Sequence, residues 1–524
     1  MRNLVLANGH FHTFNPSSPI AESAVIADGK FIAVGDSDEI LVKYKSDAKV
    51  FDLQHMHVYP GITDAHIHLL DYGMSLSRVQ CEADTRQECL DAVQARAEVT
   101  EPGKWVMGHG WNQNIWQPGV ETKELLDKFS PQNPIYLTHK SLHSAWVNSS
   151  ALSAAGISKT TNDPVNGRIE RDESGNPTGI LYEGAMKLVV DSTPQPSPEE
   201  RIDALELSRK YLNAFGITSV HDFDSWECYE SLKELEAANR LTLRTMKSIP
   251  YEKLDSVIKS GLKSDVGSDT LRISWLKLFS DGALGPQTAA MHAPYETLNT
   301  IGMLFLDSEE IIHIGQKAMA NGISTAIHAI GDRANYEVIN GYTRLCDKGF
   351  FDMTSLPPRI EHVQIIDPED MARMAKIHVT ASMQPIHAIS DRFMAEKYWG
   401  ARCENAYAWK SVLTAGNQIV FGSDAPVESP NPFWGLYAAL TRLQLNNNGE
   451  ETSWYPDQCL SPEEALFAYI RSPHLSSSWR NCLGMIMPGF MADLFIIPSD
   501  LLHIEPELIK DMKPSRTMFA GEWI

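Results

Sequence analysis

The sequence predicts an α/β fold: a (β/α)8 barrel with a large insertion after its first strand, plus a small composite β-sandwich built from both termini. Three observations carry this. Eight short apolar segments recur along the middle of the chain, helical patterns separate most of them, and both ends are strand-rich. A chain of 524 residues is also too long for one small core, which suits a large barrel with additions.

At the N-terminus, "RNLVLAN", "SAVIADG", "KFIAVGD" and "AKVFDLQ" read as short strands, with "DGK" as a hairpin turn. The C-terminal end repeats the character in "GMIMPGFMADLFIIPSD" and "PSRTMFAGEWI". Chain termini often lie close together, so residues 1–57 and 480–524 are expected to share one sandwich around a barrel of residues 58–479. The barrel strands are expected at 58–66, 216–223, 241–249, 271–279, 322–330, 357–364, 377–385 and 417–424. Helical patterns such as "DSEEIIHIGQKAMANG" and "PEDMARMAKI" lie between them. Residues of about 67–215 exceed any βα connection and read as the insertion. It contains strands in "KWVMGHGW" and "PIYLTHKS" and a helix in "PEERIDALELSRKYLNAFG", and such additions often cover an active site.

Composition narrows the function classes. The formal net charge is −22, from 67 acidic and 45 basic residues, which argues against nucleic-acid or anionic-membrane partners. Seven cysteines, an odd number with no C-x-x-C pair, read as reduced thiols. The N-terminal apolar run reads as too short for a signal peptide and no stretch approaches 18 uninterrupted apolar residues, so a cytoplasmic protein is expected, with a small-molecule substrate and a homodimer as the commonest assembly.

Three His-x-His pairs occur: His10/His12, His55/His57 and His66/His68. Residues i and i+2 of a strand point to one side, so His66 and His68 project together from the end of barrel strand one. Active sites of such barrels lie at the C-terminal ends of the strands. At the other strand ends stand Lys277, His328, His362 and Asp424. Imidazole with carboxylate suits Zn²⁺ and its neighbours. The pairs at His10/His12 and His55/His57 lack that convergence and are read as non-ligands. Lys277 has two readings. Near a metal its neutral amine could take up CO₂ to give a bridging carbamate, or the unmodified lysine pairs with an acid such as Asp281.

The motifs "PGITDAHIHL", "WLKLFSDGALG", "AIHAIGDRAN", "RIEHVQ", "SMQPIH", "FGSDAPVESPNP" and "PGFMADLFII" resemble the amidohydrolase superfamily. More narrowly they resemble the YtcJ-like amidohydrolase family 3 group, which includes N-substituted formamide deformylase-type enzymes. The segment "LTHKSLHSAWVNSSAL" is also similar, and the likeness runs from about residue 3 to 523. Thr63 and Ala65 depart from the usual strand-one motif at positions that are not ligands. The resemblance implies one or two divalent metals. His66 and His68 would hold the more buried one, His328 and His362 the second, with Lys277 as an N6-carboxylysine bridge. Asp424 would ligate and handle protons.

The expected function is therefore hydrolysis of a non-peptide carbon–nitrogen bond by metal-activated hydroxide, with Asp424 as proton shuttle and Lys277 as the other catalytic residue. Candidate substrate contacts are Trp111, His143, Glu183, Asp281, Asp332 and His387. His143 either hydrogen-bonds the carbonyl oxygen or fixes the insertion. The competing readings are a mononuclear deaminase on the same fold, which does not need Lys277, and a metal-binding protein without catalysis.

Overall fold

In the computed structural model, which describes residues 3–113, 116, 121–445 and 450–524, eight parallel strands form one sheet in sequential order. They are β1 (Ile62–Ile67), β2 (Ile217–Asp222), β3 (Arg244–Pro250), β4 (Leu271–Phe279), β5 (Thr325–Ala329), β6 (Arg359–His362), β7 (Thr380–Met383) and β8 (Ile419–Phe421). Their nearly continuous burial is what a parallel sheet covered on both faces requires. The two end strands meet at their C-terminal tips. The Asp424 N–H donates to the His66 carbonyl at 2.7 Å, and the His68 N–H donates to the Ala425 carbonyl at 2.9 Å. Asp64 clamps the same seam, accepting from the Ser423 N–H at 3.0 Å and the Ser423 hydroxyl at 2.5 Å. The sheet is thus joined into a barrel at the rim where the histidines emerge.

The barrel interior combines an apolar cluster of Phe223, Met246, Trp275 and Ala326 with a buried ion pair. Arg359 and Glu361 point inward from β6, with Arg359 Nε 2.6 Å from Glu361 Oε1. The Arg359 guanidinium also donates to the Ala65 carbonyl and the Ser382 hydroxyl, so one buried cation ties β6 to β1 and β7.

The segment 58–66, expected as one strand, divides at Gly61. His57–Pro60 pairs with Leu494–Ile497 and His10–His12 in the sandwich, and β1 begins after the break. A Cβ at Gly61 would stand 2.0 Å from Thr218 Oγ1, so only glycine lets the chain pass β2 here. The sandwich has a four-stranded and a six-stranded sheet around Leu6, Phe11, Phe31, Val58, Leu494 and Ile496. N-terminal strands make the first sheet, and both termini contribute to the second.

Between β1 and β2 lies a six-stranded sheet running from Val79–Gln80 to Pro177–Glu183 in sequence. The helix Pro198–Ala214, predicted inside the insertion, instead packs on helix Leu69–Ser77 beside the barrel. There a Cβ at Gly73 would lie 2.1 Å from the Ala204 carbonyl oxygen. Its start is fixed locally: Ser197 and Glu200 form a capping box and Pro198 opens the helix. Among the described residues no helix is long and apolar enough to cross a membrane, and all seven cysteines are unbridged.

Candidate active site

His66, His68, Lys277, His328, His362 and Asp424 all line one cavity of about 490 Å³ at the C-terminal rim of the barrel. His66 Nε2 stands 3.3 Å and His68 Nε2 3.4 Å from Asp424 Oδ1, and His362 Nδ1 lies 4.0 Å from Asp424 Oδ2. The rings of His328 and His362 are 4.6 Å apart in an edge arrangement. Two of these residues hold left-handed backbone, His362 with φ 76° and Asp424 with φ 60°. Such conformations are costly away from glycine. At His362 the turn off the strand breaks the alternation that would otherwise set it opposite Glu361, and brings its side chain to the rim.

The atoms facing each other suit a cation. His66 Nε2 and Asp424 Oδ1 are buried, and neither makes a hydrogen bond. Donors bonded to one tetrahedral ion at about 2.0–2.2 Å stand ~3.3 Å apart, the spacing seen here. The proton positions agree. The His66 Nδ1–H donates to Glu361 Oε2 at 2.6 Å, the His362 Nδ1–H donates to Gln384 Oε1 at 2.9 Å, and the His328 Nε2–H donates to the Gly282 carbonyl at 2.9 Å. Each contact fixes a ring and leaves its other nitrogen as a lone pair. Donor atoms of His66, His362 and Asp424 all lie within 4.8 Å of one another and could hold an ion, and His68 approaches the same Asp424 oxygen as His66.

Electrostatics point the same way. Burial and the adjacent Lys277 hold His66 down at about 4, so its imidazole is neutral. Burial opposes charge on Asp424, but His66, His68 and His362 outweigh it and keep the carboxylate ionised far below its usual value. Burial also opposes charge on His68, yet Asp224 and Asp424 raise it to about 10. The spot between these carboxylates favours positive charge.

Lys277 is 5 % exposed, and burial lowers it to about 8 despite the attraction of Glu361 and Asp424. Its ammonium lies over Phe223 and Phe279, at 4.9 Å and 4.8 Å from the ring centroids. It forms no ion pair with Asp281, contrary to one of the two sequence readings. Asp281 instead accepts the backbone N–H groups of Ala290, Ile330 and Gly331.

The expected substrate contacts divide. His143, Glu183 and His387 line the cavity. The His143 Nδ1–H donates to Glu183 Oε2 at 2.9 Å, and the Thr288 hydroxyl holds Glu183 Oε1 at 2.6 Å. Burial lowers His143, but Glu183 overcomes it and raises the group. Trp111, Asp281 and Asp332 are not in the lining. Trp111 packs with Trp116 and Trp146 in the core of the inserted sheet, its Nε1–H on the Leu137 carbonyl. Asp281 is the backbone clamp just described, and Asp332 holds the His292 and Arg333 N–H groups at a helix start.

Residue-by-residue reading missed Glu361, Gln384 and Asp224, which orient the histidines. Glu361 was visible only as a neighbour of His362 within "RIEH". Its partner His66 lies 295 positions away. The reading also missed the ion pairs of Lys140 with Glu82 and Glu428 at the cavity wall, at 2.5 Å and 3.1 Å.

Known proteins share this architecture. An uncharacterized metal-dependent hydrolase from Pyrococcus horikoshii superposes with a TM-score of 0.78 at 26 % identity, covering 96 % of this chain and 99 % of that one. YtcJ of Bacillus subtilis (strain 168), named as an amidohydrolase, is 28 % identical over 98 % of both chains. The N-substituted formamide deformylase of Arthrobacter pascens is 27 % identical over 99 % of this chain and 98 % of its own. Residues 49–524 match the model of the amidohydrolase family, and with the histidines and aspartate meeting at the barrel rim, the chain belongs to that family of hydrolases.

Proposed function

We propose that this protein is a metal-dependent hydrolase of non-peptide carbon–nitrogen bonds, with an N-acyl or N-formyl amine as substrate. The observation that carries this reading is Asp424. One of its oxygens faces His66 and His68 at 3.3 and 3.4 Å, and its other oxygen looks toward His362. The formamide-hydrolysing relative supports the choice of bond.

Zinc suits the imidazole-rich donor set, with His66, His68 and Asp424 holding one ion and His328 and His362 a second. The buried, unpaired Lys277 amine, once carboxylated, would bridge them. Bound divalent metal supplies an acidified water, its pKa drawn from ~15.7 towards ~7, and a Lewis acid for the carbonyl. With Oδ1 of Asp424 facing the place an ion would share with the histidines, Oδ2 would take the proton of the attacking water and pass it to the leaving nitrogen. Glu183 raises His143 and favours its doubly protonated form, which keeps Nδ1–H on Glu183 and would donate Nε2–H to the carbonyl oxygen as it gains charge. Leu142, Met186, Phe279, Leu284, Phe305 and Met394 give the cavity apolar walls for the N-substituent. Acidic charge and unbridged cysteines support a small-molecule substrate and a cytoplasmic site of action.

The test is a panel of N-formyl amines, N-acyl amines and esters, incubated with the protein with and without Zn²⁺. Release of amine and carboxylate, dependent on metal, is expected. Ammonia release from amino-heterocycles with intact amides would replace this reading with a deaminase. No turnover of any compound by metal-loaded protein would leave only metal binding.

A further inference from the structure

The two His-x-His pairs that fall outside the barrel converge on each other. His10–His12 runs parallel to His57–Pro60, with His10 opposite His57. Strand periodicity therefore sets His10, His12, His57 and Tyr59 on one face. His12 stacks on Tyr59 with centroids 4.2 Å apart and planes within 3°. The loop after Leu494–Ile497 brings in Asp500, anchored by the Tyr59 hydroxyl donating to its Oδ1 at 2.9 Å.

We propose that His12, His57 and Asp500 form a further divalent-metal site, in the sandwich, for an imidazole-preferring ion of the zinc class. His12 Nε2 lies 3.0 Å from His57 Nδ1 and 3.6 Å from Asp500 Oδ1. Those spacings bracket the ~3.3 Å between donors around a tetrahedral ion. All three donor atoms fall within 4.8 Å of one another, as do those of His66, His362 and Asp424 in the barrel. The His12 side chain is 7 % exposed. Its Nδ1 is buried without a partner, so no other contact dictates which ring nitrogen carries the proton. Two exposed imidazoles flank the cluster without belonging to it. His503 Nδ1 is 2.8 Å from Asp500 Oδ2, and the His10 ring centroid is 5.0 Å from that of His57.

The three ligands come from an N-terminal strand, the strand that leads into β1, and the C-terminal loop. An ion there cross-links both ends of the chain at the root of the barrel. It acts on the fold, binding the native state and not the unfolded chain. Without metal the same atoms make a plain imidazole–imidazole hydrogen bond, which is the alternative to be tested.

The experiment is metal analysis of the full-length protein after equilibration with Zn²⁺ and removal of loosely held ion, comparing wild type with His12→Asn and, separately, Asp500→Asn. Each variant is expected to hold one equivalent less per chain while hydrolysing the substrate at the wild-type rate. Zn²⁺ is expected to raise the melting temperature of the wild type more than that of either variant. Circular dichroism and retained turnover show that the variants fold. If one fails, the other and His57→Asn give the same reading. His503→Ala and His10→Ala are expected to keep the extra equivalent. Equal metal content in wild type and folded variants would overturn the site. Loss of the extra equivalent on removing the exposed His10 or His503 alone would also overturn it, showing surface chelation.

Discussion

Glu361→Gln separates orientation of a ligand from simple charge balance. Glu361 is fully buried, with Oε2 2.6 Å from His66 Nδ1 and Oε1 2.6 Å from Arg359 Nε. The amide keeps the shape and removes the negative charge. Loss of a carboxylate behind a ligating histidine lowers metal affinity by about 10–100-fold, or about 1.4–2.7 kcal/mol. Arg359, also buried, is left without its counter-charge, and breaking such a pair from one side costs about 3–5 kcal/mol of stability. Two assays are therefore needed: Zn²⁺ affinity by competition with a chelator, and urea unfolding of the metal-stripped protein. The predicted result is that both fall. If stability falls while Zn²⁺ affinity stays at the wild-type value, Glu361 serves Arg359 alone and the reasoning about His66 is refuted.

Asp424→Asn is expected to remove most turnover while some metal remains bound; a near wild-type kcat on a true substrate would remove its proton role. His143→Phe should retain its metal and lose about 10²–10³-fold in kcat, the cost of one oxyanion donor, read by steady-state kinetics with metal analysis. Metal uptake should displace a proton from His68, which Asp224 and Asp424 raise to about 10. Zn²⁺ affinity should then rise about tenfold per pH unit until pH nears 10, measured by chelator competition across a pH series. In metal-stripped protein the same raised group stabilises the fold fully below its unfolded value of ~6.5. That stability is lost as pH rises through about 10, and His68→Asn should lack this dependence in unfolding assays.

The barrel was legible because its cues are local. β4 spans Leu271–Phe279, the limits expected from "LRISWLKLF", and the cavity collects all six strand-end residues chosen by position. What was hidden depends on contacts across long separations. Glu361 reaches His66 through the barrel interior, and no spacing in the chain announces it. Trp111 looked like a pocket wall because an aromatic in a Gly-rich strand reads the same whether it faces a core or a ligand. The inserted sheet decided for the core. Asp281 and Asp332 were acidic residues near motif positions, and backbone N–H groups that needed acceptors claimed both. His12 and His57 illustrate the converse. Each pair looked unsupported alone, and strand pairing supplied the missing neighbour.

The most direct test of the central claim is anomalous diffraction from crystals of the Zn²⁺-loaded protein, collected on both sides of the metal absorption edge. The account predicts a peak within bonding distance of His66, His68 and Asp424, with density for a carboxylated Lys277 reaching a second peak beside His328 and His362. A crystal equilibrated with Zn²⁺ that shows no peak among these residues would contradict it.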